Sequence, residues 1–215
     1  MFYKMIDLLK VDKDKRLLFF SIMSIILCLA FAIFNGILGI VYNSLWNGCI
    51  CIYYIFLIMI KILIVFGGKI TYYDNKTIRK NIIVIFSFIL LLFINIAMIT
   101  PAALMLFDKR SYNYGIIIGI IMATYTTYSI TMAIINLKRT IKVNNIFVKQ
   151  IRLINMITAL MSLLILQNTL IVANGGYDRS MTVLSFWTSL GIIFLVLVMI
   201  IISFIMYVKN YNKNN

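Results

Sequence analysis

Within the apolar stretches of this chain one side chain carries a charge, Lys61. It falls in the run from Asn43 to Gly68, about two turns before that run ends at Gly67-Gly68. A lysine at that depth is expected to snorkel, laying its methylene stem along the helix and carrying its ammonium to the interface. The alternative is a buried cation that attracts anions. No acidic residue within any apolar run is available to pair with it. The remaining polar chemistry is neutral and concentrates in two later runs. One carries Thr124, Tyr125, Thr126, Thr127, Tyr128, Ser129, Thr131 and Asn136; the other carries Asn155, Thr158, Ser162, Gln167, Asn168 and Thr169. Such groups act as interhelical glue at about 0.6 kcal/mol per bond. They can equally line a polar cavity for a small neutral solute, and Thr124, Thr127, Tyr128, Thr131, Thr158, Ser162 and Asn168 are the candidate solute-facing residues.

What is missing limits the chemistry further. The chain has no histidine and no glutamate, and its six aspartates (Asp7, Asp12, Asp14, Asp74, Asp108 and Asp178) all lie outside the apolar runs. Proton or sodium coupling through intramembrane carboxylates or histidines is therefore disfavoured. A Ser-His-Asp triad and a histidine-based zinc site are ruled out, and no phosphate or dinucleotide fingerprint appears. The expectation is a protein that is not an enzyme and uses neither metal nor cofactor. Cys49 and Cys51 sit two residues apart, on nearly opposite faces of a helix, and Cys28 lies too deep to bridge to them. All three read as apolar packing residues.

The elements that position these groups are long helices. Hydrophobic residues make up 63% of the 215 residues and charged residues 12%, far from the balance of a soluble domain. A helix needs about 20 apolar residues to cross a bilayer. Six stretches qualify, at roughly 18–41, 46–67, 82–106, 115–137, 153–173 and 183–207. The fold class is therefore all-α: a polytopic membrane protein, a bundle of six transmembrane helices. A cytoplasmic or interfacial segment, 1–16, precedes the domain at 17–208, and a tail, 209–215, follows it. The first run is too long for a secretory signal and lacks a small-residue cleavage site, so it reads as an uncleaved helix. In the N-terminal segment, Phe2, Met5, Ile6 and Leu9 recur at helical spacing among Lys4, Asp7 and Lys10. That pattern suits a short helix on the inner leaflet.

The net charge of +14 is not that of a nucleic-acid binder, because the basic residues occupy short gaps rather than one solvated face. Lys4, Lys10, Lys13, Lys15 and Arg16 precede the first run. Lys69, Lys76, Arg79 and Lys80 fill the second gap, and Lys138, Arg139, Lys142, Lys149 and Arg152 the fourth. Lys209 and Lys213 follow the last run. Only Lys109, Arg110 and Arg179 lie on the other side. This alternation places both termini in the cytoplasm by the positive-inside rule. Trp46, Tyr42, Tyr112 and Tyr114 are then expected at the outer interface.

Small residues recur every fourth position in two spans. Ser24, Cys28, Ala32 and Gly36 mark the first, and Gly115, Gly119, Ala123, Thr127 and Thr131 the fourth. Residues four apart share a helix face, and small ones let backbones approach closely. Ser24, Cys28, Ala32, Gly36, Gly115, Gly119 and Ala123 are thus the candidate packing face. Pro101 is expected to kink the third span. The partners expected are the lipid bilayer and either a membrane-protein partner or a second copy of the chain, with no nucleic acid.

The stretch Asn35-Gly36-Ile37-Leu38-Gly39-Ile40-Val41-Tyr42-Asn43-Ser44-Leu45-Trp46 is similar to the end of the first helix in cation diffusion facilitators, which commonly shows a G-x-x-x-x-S-x-A rhythm. Six spans with both termini inside also match that family. Aligned on Ser44, its two second-helix metal ligands fall at Tyr53 and Leu57, and its later pair at neutral residues such as Thr158 and Ser162. None of these suits zinc, and no long C-terminal domain follows the last run. The resemblance implies a shared helical scaffold whose metal chemistry is absent. The chain also resembles small six-pass bacterial membrane proteins, which supply no mechanism. Two functions follow: a transporter-like protein, or membrane subunit of a transporter, for a small neutral or anionic solute; or a non-transporting accessory, immunity or scaffold protein acting through helix contacts.

Overall fold

The computed structural model describes residues 2–74, 77–99, 102–103, 116–140, 146–173 and 179–214. Side chains are placed at 21–68, 81–99, 102–103, 117–136, 146–171 and 180–209, save 182. Among the described residues the chain forms six helices and no strand. They are α1 (Phe2–Val41), α2 (Leu45–Asp74), α3 (Thr77–Ala97), α4 (Ile116–Thr140), α5 (Ile146–Ala173) and α6 (Arg179–Asn214).

Five of these are long and apolar enough to cross a membrane, over Ser21–Val41, Leu45–Gly68, Ile117–Asn136, Ile146–Ile171 and Val183–Lys209. The apolar part of α3, Asn81–Ala97, is shorter. By helix rise it covers about 25 Å, just under the hydrocarbon thickness of about 30 Å. Within the third span expected at 82–106, α3 ends at Ala97, four residues before Pro101. A turn follows at Met98, and helix is present again at Ile99 and at 102–103, with Ala102 N donating to Met98 O at 3.3 Å. A proline offers no N–H to the carbonyl four residues earlier and its ring crowds that carbonyl. The Met98 amide is shared between Ile94 O and Asn95 O, at 3.2 and 3.3 Å. Pro101 itself lies outside the described residues.

The fifth helix departs in the other direction. It starts at Ile146, seven residues before the stretch expected at 153–173. Lys149 and Arg152 therefore belong to the helix rather than to a connection. Both are good helix formers, and around them Phe147, Gln150 and Ile151 are buried. Helix α1 continues without interruption from the N-terminal segment into the first apolar run.

Lipid-facing and core-facing residues alternate with helical period. On α1, Ile22, Ile26, Leu29, Ile33, Ile37 and Ile40 are exposed, while Cys28, Phe31, Ala32, Asn35 and Leu38 are buried. A broad exposed apolar face is what a bilayer accepts and water does not. Helix α5 is the most buried of the spans and packs against α1, α2, α4 and α6. Helices α2, α3, α6 and α5 close a ring of contacts, α1 lies mainly along α2, and α4 lies along α5.

The α1–α2 turn is built from local chemistry. Asn43 takes φ 50°, a left-handed conformation that asparagine tolerates better than most residues. Ser44 N donates to Gly39 O at 2.9 Å, and Asn43 N to Ile40 O at 3.3 Å. This bond pair is the Schellman ending of a helix. Ser44 then caps α2, its hydroxyl accepting from Asn47 N at 3.4 Å. The tight turn brings the two helices together at once. A Cβ on Gly39 would lie 3.1 Å from Gly48 N, and one on Gly36 would lie 3.1 Å from Cys51 Sγ.

Candidate functional site around Lys61

Helix α2 turns one stripe inward, formed by Ile50, Tyr53, Tyr54, Leu57, Ile60, Lys61 and Ile64, all buried. Lys61 falls on this stripe by periodicity, one turn beyond Leu57. Its side chain is 1% exposed. The expectation that it snorkels to the interface is therefore corrected: the side chain enters the bundle. The opposing face of α1 offers Ser24 and Cys28, one turn apart. Lys61 Nζ donates to Ser24 Oγ at 2.9 Å and to Cys28 Sγ at 3.0 Å. Ser24 Oγ in turn donates to Asn155 Oδ1 on α5 at 2.6 Å. One hydrogen-bonded chain thus joins α2, α1 and α5.

Among the described residues the partners of Lys61, Ser24 and Cys28, are neutral. The nearest acidic residue along α1 is Asp14, ten residues before Ser24, about 15 Å away by helix rise. Along α2 it is Asp74, thirteen residues beyond Lys61, about 20 Å away. A cation enclosed by an apolar bundle is costly without a counter-charge. Cys28 has a second role here besides the packing expected of it, since its sulfur accepts a hydrogen bond from the ammonium. Cys28, Cys49 and Cys51 are all free thiols.

Towards the α1–α2 turn the site is roofed by aromatic rings. Phe31 stacks on Tyr125 of α4, with centroids 3.9 Å apart and planes 9° from parallel, and meets Tyr54 edge-on at 5.0 Å. Tyr54 donates to Thr158 O at 3.4 Å. Helix α4 is tied to α5 below the ring stack, where Thr126 Oγ1 donates to Ser162 O at 3.1 Å.

The structure divides the candidate solute-facing residues into two groups. Thr158, Ser162 and Asn168 are buried on α5. The hydroxyls of Thr158 and Ser162 donate to their own helix, to Ile154 O and Ala159 O. Thr124, Thr127 and Thr131 lie on the exposed side of α4 and donate to Ile120 O, Ala123 O and Thr127 O. Tyr128 is 44% exposed on that side. The expectation of one polar cavity lined by both sets is corrected: the α4 set faces away from α5. A threonine that bonds the carbonyl four residues back needs no other partner, so it is tolerated towards lipid.

The small-residue faces also part company. On α1, Cys28 and Ala32 are buried against the bundle, Ser24 makes the contacts above, and Gly36 meets Cys51. On α4, a Cβ built on Gly119 meets nothing within 4 Å, and Ala123 is half-buried. Close helix packing at Gly119 is thus corrected too; Gly115 lies outside the described residues. Trp46 is 7% exposed, its ring turned into the bundle, and its Nε1 has no hydrogen-bond partner among the described residues. Tyr112 and Tyr114 fall outside the described residues.

Two further polar ties hold the remaining helices. Gln150 Nε2 donates to Ser87 Oγ at 2.7 Å and to Val84 O at 3.1 Å, joining α5 to α3. Asn95 Nδ2 donates to Ile193 O at 3.1 Å, joining α3 to α6.

Asn155 was missed as a partner, and the inward Lys61 stood in the sequence only as the alternative to snorkelling. The signal was present, since Lys61 shares the register of Tyr54, Leu57 and Ile64. No family model matches the chain, and neither any curated protein nor any solved structure does so.

Proposed function

We propose that the chain is a six-pass membrane protein of transporter type, or the membrane subunit of a transporter, that handles a small neutral or anionic solute inside the bundle. Both termini lie in the cytoplasm in this reading, as the alternation of basic gaps implies. One observation carries it: Lys61 is buried and, among the described residues, bonded to the neutral groups of Ser24 and Cys28 alone. Ionisable groups at membrane depth are rare and expensive, and they mark binding sites and pathways. The neutral surroundings give the site no resident counter-charge. Reconstitution into liposomes tests the reading. Uptake of a labelled small anion or neutral solute that depends on the protein, and falls in Lys61→Met, supports it. Tight vesicles with no uptake of either solute class contradict it.

A second reading, a non-transporting accessory, immunity or scaffold protein, draws on a separate observation. The hydroxyls of Thr158, Ser162 and Thr169 all bond carbonyls of their own helix, which leaves them committed before any solute arrives. Under that reading, native mass spectrometry of gently extracted protein finds a second membrane protein at fixed stoichiometry. A lone chain or homo-oligomer favours the first.

A further inference from the structure

We infer that Lys61 is the centre of a binding site for a small, free, monovalent inorganic anion of the chloride type. The inference rests on the transporter reading for its purpose, though not for its chemistry. The buried ammonium has one positive charge and, among the described residues, neutral partners only, so a single negative charge completes the site. The acceptors it now uses differ in quality. Ser24 Oγ at 2.9 Å is a normal acceptor that is itself fixed by its bond to Asn155. Cys28 Sγ at 3.0 Å is a thiol, and thiols accept hydrogen bonds weakly. The bond to the sulfur is therefore the one an anion replaces most readily, and a small anion that does so meets N–H from Lys61 and, among the described residues, no carboxylate. The site is enclosed: Ser24 and Cys28 hold the ammonium of a side chain that is 1% exposed, which favours an ion of few atoms over an organic acid. The same enclosure disfavours a lipid phosphate, which would need an opening from the acyl region to the ammonium.

The test uses full-length protein purified in uncharged maltoside detergent and exchanged into gluconate. Chloride is titrated at constant ionic strength while thermal unfolding is followed. The expected result is a saturable rise in Tm for the natural protein, absent in Lys61→Met. The Cys28→Ala variant, which removes the competing acceptor, should bind chloride more tightly by roughly three- to tenfold, the range of one weak hydrogen bond. It also guards against a misfolded lysine variant, because a gain cannot come from damage. A chloride response equal in Lys61→Met, or no saturable response in the natural protein, overturns the inference. So does a Lys61-dependent rise produced by phosphatidylglycerol and not by chloride. Chloride uptake by proteoliposomes separates the two claims. Saturable stabilisation without uptake leaves the anion site standing and removes the transporter. Uptake of a neutral solute without any chloride response does the reverse.

Discussion

Replacing Lys61 by methionine in chloride-free buffer should leave the protein at least as stable as before, and it exposes how Lys61 is held. Methionine keeps most of the length of the stem and drops the charge. An ammonium deep in a span costs about 3 kcal/mol on insertion scales. Against that stand two hydrogen bonds from the ammonium, to Ser24 and Cys28. The first contributes about 1.5 kcal/mol as a bond from a charged donor, and the second less because sulfur accepts weakly. The balance favours methionine by about 1 kcal/mol, or a rise in Tm of about 2–4 °C for a chain of this size. The partner substitution Ser24→Ala should cost the natural protein about 2 kcal/mol, because it strips the ammonium of its better acceptor and frees Asn155 Oδ1. In the Lys61→Met background only the Ser24–Asn155 bond remains to lose, and the cost should fall to about 0.6 kcal/mol. The coupling of about 1.4 kcal/mol is read from a double-mutant cycle of unfolding in mixed micelles. Two results would refute the reasoning. A coupling within error of zero would mean that Lys61 and Ser24 do not meet. A loss of more than about 3 kcal/mol in Lys61→Met alone would make the lysine a structural tie.

Other substitutions probe the packing. Gly39→Val should destabilise the α1–α2 hairpin by about 1–3 kcal/mol, since its Cβ would press on Gly48 N at 3.1 Å, whereas Gly119→Ala should be neutral or slightly stabilising; equal effects in an unfolding titration would contradict the helix assignment. Asn43→Gly should be tolerated, and Asn43→Ile should cost about 1–2 kcal/mol because a β-branched residue resists φ 50°; thermal melts separate the pair. Tyr125→Leu should cost about 2–4 kcal/mol through the lost stack on Phe31, and a loss below about 0.5 kcal/mol in the same melts would place that ring elsewhere.

The long apolar runs were legible because the bilayer imposes a length and a composition that little else does. The α1–α2 turn was legible in part. Asn43-Ser44 marked its place, but the Schellman bonds and the Gly39–Gly48 approach depend on two helices meeting. The third span was legible as an apolar run, but not the turn at Met98 that interrupts its helix before Pro101. Small-residue spacing proved ambiguous for a physical reason. The period of four defines a stripe on a helix and does not say whether the stripe faces protein or lipid. On α1 it faces α2; on α4 the threonines satisfy themselves and look outward. Lys61 was misread because a lysine two turns from an interface can reach it. What holds the side chain inside is an acceptor pair on another helix, Ser24 and Cys28, and the pairing of two helix faces is not written in either one.

The most direct test of the buried cation is amine labelling of intact proteoliposomes with a water-soluble acylating reagent, read by peptide mass spectrometry. Lys61 should stay unmodified under conditions that label Lys69, Lys149 and Lys209, and should become reactive only after detergent unfolding. Labelling of Lys61 in the folded protein at a rate near that of Lys69 would place its ammonium at the interface and contradict the account.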